Sequence, residues 1–170
     1  MKIETTWNGR SYRAKLEDGI DLSSPYGGEN ALSAWSCPPV SFNPVQLGDW
    51  TGSVKEGADV NFFDICLNPH GNGTHTEWAG HILPDRGSVN RQLKRFWFMC
   101  RLMDLQVSED GSMNFTEDQL KPDLPEAVIL RHRPSSLPAG NDFTGTNPPF
   151  LSEDVARRLC EKGVQHLLID

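Results

Sequence analysis

No apolar run in this sequence approaches the roughly 18 residues that suggest a membrane span, and the opening MKIETTWNGR has no apolar segment of the kind that begins a secretory signal. A cytoplasmic protein is therefore expected. Basic charge is also scarce: 16 Lys and Arg stand against 23 Asp and Glu, for a net charge of -7 and a pI near 5.2. Phosphate-binding surfaces need clustered Lys and Arg, so neither nucleic acid nor an anionic membrane is expected as a partner. The short basic runs at 91–95 and 131–133 read as solvated faces. Cys37, Cys66, Cys100 and Cys160 form no C-x-x-C pair, which speaks against a zinc ribbon or a redox motif and leaves core thiols as the expectation. Cys66, four residues before His70, is a secondary candidate for contact with the histidine cluster described below. The sequence also lacks internal repeats and low-complexity tracts.

What remains is the composition of a folded chain: 37% hydrophobic and 23% charged residues, with five Trp and eight Phe among 170. That length suits one domain, 1–170, with its own apolar core. Residues 2–7 and 11–16 read as strands joined through Asn8-Gly9-Arg10, a strong hairpin signal. Residues 20–22 read as a further short strand, and 23–44, rich in Ser, Pro and Gly, as a long loop carrying Tyr26 and Trp35. The apolar run 60–67 predicts a buried strand, and 96–107 a core strand turned by Glu109-Asp110-Gly111. A short helix is expected at 88–94, and Thr116-Glu117-Asp118-Gln119 fits a capping box.

Residues 127–130 read as a strand, followed by a loop through Asn147-Pro148-Pro149. Ser152 caps a helix to Lys162, closed by Gly163, and 164–170 forms a second apolar strand. Together these make a β-α-β crossover with parallel strands. Val155, Ala156, Leu159, Cys160 and Lys162 mark the helix's inward stripe. The expected fold is α/β: a mixed β-sheet with an N-terminal β-hairpin, flanking helices and a C-terminal β-α-β unit.

The chemistry concentrates in one stretch. Three of the five histidines fall in His70-Gly71-Asn72-Gly73-Thr74-His75-Thr76-Glu77-Trp78-Ala79-Gly80-His81, directly after the predicted strand 60–67. Imidazole and carboxylate are the usual ligands of Zn²⁺ and other divalent transition metals, and an open coordination position lets such an ion activate water. In extended backbone His75 and Glu77 point to the same side and can share one ion. Gly71, Gly73 and Gly80 allow turns that bring His70 and His81 toward the same centre. His132 and His166 read as ordinary structural histidines, His166 within a buried strand.

Gly73-Thr74-His75-Thr76-Glu77 followed by His81 resembles the H-x-G-T-H-x-D-x-x-x-H signature of the cyclase-like metal-dependent hydrolases, which include bacterial kynurenine formamidases. The similarity extends through Ile20-Asp21-Leu22-Ser23, Asn68-Pro69-His70, Gly145-Thr146-Asn147-Pro148-Pro149 and the terminal 163–170. The resemblance implies a swivelling β/β/α fold in a homo-oligomer, dimer or tetramer. It implies a divalent metal, Zn or Mn, activating water against a formamide or similar small amide in the manner of an arylformamidase of tryptophan catabolism, with N-formylkynurenine as the type substrate. Carried over by position, His75 and Glu77 become metal ligands. His81 becomes a further ligand or the group that moves protons, and Glu77 and His81 are the catalytic candidates.

The sequence departs from the signature in two places. Glu77 stands where the signature has Asp, and His70 lies one residue farther from the glycine than the signature histidine. In the family, later segments add another histidine and often a carboxylate, so a C-terminally shortened version of the family's domain is expected here. An alternative follows: a catalytically incompetent member that keeps metal binding and serves oligomerisation or ligand binding. Tyr26, Trp35 and Trp78 are candidates for an aromatic substrate pocket, although Trp in a core needs no substrate to explain it.

Overall fold

A computed structural model describes residues 1–28, 31–121, 123–133 and 142–170. Along the chain these form β1 (Lys2–Trp7), β2 (Arg10–Lys15), β3 (Ser41–Pro44), β4 (Gln46–Leu47), β5 (Trp50–Thr51), β6 (Phe63–Cys66), α1 (Pro69–Asn72), α2 (Val89–Gln92), β7 (Cys100–Val107), β8 (Ser112–Asn114), α3 (Glu117–Leu120), β9 (Ala127–Arg133), β10 (Phe150–Leu151), α4 (Glu153–Glu161) and β11 (His166–Ile169). The fold is mixed α/β, as the sequence implies. The described residues fall in two compact units, one drawn from Met1–Asp21, Trp78–Ser136 and Asn147–Asp170, the other from Leu22–Glu77 and Leu137–Thr146.

In the first unit, β1 and β2 pair antiparallel in the register Trp7↔Arg10. Asn8 and Gly9 both adopt positive φ, 47° and 71°, the backbone that a twist-compatible two-residue turn requires. The unit's main sheet runs β10-β8-β7-β9-β11, with β7, β9 and β11 mutually parallel and β8 antiparallel to β7. The β9-α4-β11 crossover is present as expected. The Ser152 hydroxyl accepts the Val155 N–H at 3.3 Å, and Gly163 leaves the helix at φ 79°. The capping segment also forms, with the Gln119 side-chain oxygen accepting the Thr116 N–H at 2.8 Å. Met103, Leu105, Met113, Leu120, Val128, Leu130, Val155 and Leu159 make the core of this unit.

The second unit contains β3 to β6 and α1. Its β3–β6 ribbon pairs Phe42 with Ile65 and Pro44 with Phe63, so strand alternation places all four on one face. Among the described residues, no apolar side chain of this unit is fully buried.

Several expectations need correction. Residues 20–22 form no strand, and the loop read over 23–44 ends in β3, which β6 draws into pairing. The 60–67 run yields only the four residues of β6, and these are exposed, Ile65 at 58%, because apolar composition marks a strand without fixing what covers it. The 96–107 strand begins at Cys100, and Phe96 and Trp97 are exposed. As the last strand of its sheet, β11 leaves Leu167, Leu168 and Ile169 exposed, so His166 does not sit in a buried strand; its ring instead packs on Phe98 at 3.8 Å between centroids. The four thiols are not core residues: Cys37 is half-buried and the other three are exposed. In α4 the buried stripe narrows to Val155 and Leu159, while Cys160 and Lys162 are exposed. The loop read after 127–130 lies, over 134–141, outside the described residues.

Candidate metal centre

The site is built on the single turn α1 and the extended segment after it. Asn68 starts the turn, its side-chain oxygen accepting the His70 N–H at 3.0 Å, and Pro69 supplies a fixed φ at the first helical position. The turn is moulded onto residues 34–38. Ala34 N–H donates to the Gly71 carbonyl at 3.0 Å, and the Asn72 amide donates to the Pro38 carbonyl at 3.1 Å. A Cβ at residue 71 would lie 2.6 Å from Cys37 Sγ, so only glycine fits there. This corrects the expected role of Gly71, whose value lies in close approach rather than in turning the chain.

Past the turn, Tyr26 holds the motif from one side. Its hydroxyl donates to the Thr74 carbonyl at 2.7 Å, and the Thr74 hydroxyl accepts the Ser24 N–H at 2.8 Å. Gly73 is extended, and a Cβ there would press on the Tyr26 ring at 3.1 Å.

These supports deliver three side chains to one point. His70 Nδ1 lies 2.6 Å from Glu77 Oε1, and His75 Nε2 lies 3.0 Å from the same oxygen. The two imidazole rings meet edge to face, 4.8 Å between centroids. All three donor atoms lie within 4.8 Å of one another, and the group could hold a metal ion. Ligand atoms about 2.0–2.2 Å from one ion are bound to lie this close together, so the donor set fits a divalent cation.

His75 is also oriented from behind, where Nδ1–H donates to the Gly73 carbonyl at 3.0 Å and leaves Nε2 to face Glu77. Partial burial opposes charge on this ring, but the Gly73 carbonyl and the Glu77 carboxylate outweigh it and hold the His75 pKa above the ordinary histidine value.

Among the predicted site residues, His70, His75 and Glu77 come together. His70, one residue out of register with the signature, still reaches Glu77 because α1 carries it there. His81 belongs to the other unit, on a one-turn helix, Ala79–His81. Trp78 lies in that unit as well, its indole N–H donating to the Arg86 carbonyl at 3.1 Å. Trp35 is 73% exposed, on backbone of positive φ. Cys66 lies on β6 and is not one of the clustered donors; Cys37 is the thiol packed against the turn. Sequence reasoning missed Asn68, Asn72 and Cys37 as supports. Asn68-Pro69 carried a cap signal, whereas nothing in the sequence marked residues 34–38 as supports of the turn.

Fold and site thus define an α/β protein with a His-His-Glu cluster suited to a divalent cation. The family model described as "Putative cyclase" matches residues 20–170, and the chain belongs to that Cyclase family. No curated protein is matched by the chain. Among the described residues, no helix is long and apolar enough to cross a membrane.

Proposed function

We propose that this chain is a metal-dependent hydrolase of a non-peptide C–N bond, acting on a formamide or similar small amide in the manner of an arylformamidase. The observation that carries the reading is the convergence of His70 Nδ1 and His75 Nε2 on the single oxygen Glu77 Oε1. Electron-rich atoms gathered on one point need hydrogen or a cation between them, and this spacing accommodates either N–H donors or one metal ion.

When bound, a divalent cation such as Zn²⁺ or Mn²⁺ supplies Lewis-acid polarisation and lowers the pKa of a water to about 7. The protein's own part is orientation. His75 keeps its proton at Nδ1 against the Gly73 carbonyl and offers Nε2 as ligand. Glu77 supplies the anionic ligand, and α1 presents His70. We assign His81 the role of further ligand or proton carrier on its motif position alone. Tyr26, Trp35 and Trp78 are the proposed aromatic contacts for substrate, and Tyr26 has the best support because it already braces the residue before His75. A homo-oligomer is part of this proposal, supported by the uncovered apolar face of the β3–β6 ribbon.

The test is hydrolysis of N-formylkynurenine by the chain loaded in turn with Zn²⁺ and Mn²⁺, with His75→Ala as control. Turnover that the control abolishes supports the reading. A folded, metal-loaded chain without turnover would favour the alternative, a family member that binds metal without catalysis.

A further inference from the structure

We propose that Asn72 is the positioning residue of the metal centre, fixing where His70 presents Nδ1 by tying the α1 turn to residues 34–38. The inference rests on the metal-binding reading above and adds a residue that touches neither metal nor substrate.

Asn72 is a polar side chain at 1% exposure in a unit where, among the described residues, no apolar side chain is fully buried. Burying an amide is costly unless its hydrogen bonds are made, and Asn72 makes them at both ends. Its oxygen accepts the Asn68 N–H at 2.7 Å, and its nitrogen donates to the Pro38 carbonyl at 3.1 Å. The first bond closes the turn across His70 by fixing the residue whose side chain caps the His70 N–H. The second anchors the turn to a separate stretch of chain, next to the Ala34-to-Gly71 backbone bond. A four-residue helix has too few internal bonds to hold its own orientation, so these outside contacts set it. A shift of about 1 Å in such a support is enough to spoil ligand geometry. Residues of this kind are as much a part of a metal site as its ligands.

The experiment compares the wild-type chain, Asn72→Ala, Asn72→Asp and His70→Ala, together with the double variant Asn72→Ala/His70→Ala. Zn²⁺ affinity is measured by competition with a chelating dye, Co²⁺ absorption reports ligand geometry, and NMR contacts between the His70 and His75 rings report their placement in the metal-free chain. We expect Asn72→Ala to weaken Zn²⁺ about 10–100-fold, the range typical when a residue behind a metal ligand is removed. Its Co²⁺ spectrum should move toward that of His70→Ala, and its ring contact should be lost while contacts among Leu105, Val128 and Leu130 persist. Asn72→Asp keeps the acceptor for Asn68 and loses the donor to Pro38, so it should fall between; it carries the comparison if the alanine variant does not fold.

In the His70→Ala background, Asn72→Ala should change affinity by less than about twofold, because the ligand it positions is already gone. An equal loss in that background, or an unchanged ring contact in both Asn72 variants, overturns the proposal. If the wild-type chain binds no Zn²⁺, the metal-binding reading fails, and the metal-free ring contact still decides the role of Asn72.

Discussion

Glu77 is the residue on which the site turns, since one of its oxygens serves two imidazoles at once. Glu77→Gln keeps the size and removes the charge. We expect it to weaken Zn²⁺ by more than the roughly 10–100-fold typical of changes behind the ligands, measured by dye competition. His75 gives a pH dependence with opposite signs for the two states of the site. Its pKa is raised by the Gly73 carbonyl and Glu77 against the opposing effect of burial. The stabilising contribution in the metal-free chain is therefore full below the ordinary value of 6.5 and is lost as pH rises through the folded-state value. Metal ligation needs the neutral ring, so Zn²⁺ affinity should climb over the same interval. Melting curves with chelator and Zn²⁺ titrations, each run on both sides of pH 6.5, check the two slopes.

Among the elements, α1 is held by close backbone contact with residues 34–38. Gly71→Ala would set a methyl 2.6 Å from Cys37 Sγ and 2.7 Å from Cys37 Cβ, with the Ala34 carbonyl at 3.1 Å. Overpacking of this kind costs about 1–3 kcal/mol, so we expect a lower denaturation midpoint and weaker metal binding together. The helix α4 offers a milder comparison. Ser152→Ala removes the cap on Val155 and should cost about 1 kcal/mol, read from urea unfolding, with no effect on metal. The same elements show why parts of the fold were legible. The Asn8-Gly9 hairpin, the Ser152-to-Gly163 helix and the Gln119 cap are set by neighbours in sequence, and each forms where the local signal places it. The β3 strand was hidden in a Ser- and Pro-rich stretch because its pairing with β6 is nonlocal. His70 was recognisable as a donor by type, but the supports from 34–38 that hold it came from a stretch that reads only as loop.

For the molecule as a whole, burial was the quantity that sequence conveyed least. The apolar runs at 60–67 and 164–170 each hold a strand, yet β6 and Leu167, Leu168 and Ile169 lie exposed, since apolar content says that a surface seeks cover and not where the cover comes from. On the β3–β6 ribbon, Phe42 at 53% and Ile65 at 58% exposure lie opposite each other in register. If this face joins copies in the proposed oligomer, Phe42→Ser/Ile65→Ser should shift the chain toward monomer in sedimentation velocity while leaving the His70–His75 ring contact intact. The family match begins at residue 20, past the β1–β2 hairpin, so the hairpin lies outside the matched region.

The shared oxygen of Glu77 also makes the site a reservoir of hydrogen ions. In the metal-free chain the Gly73 carbonyl and the Glu77 carboxylate hold His75 protonated to higher pH than an ordinary histidine, and a dication taking His75 Nε2 displaces these hydrogen ions into solvent. The calorimetric heat of loading must then vary with the ionisation enthalpy of the buffer that takes them up. The slope of that dependence, measured in several buffers at one pH, counts the ions released for each metal gained.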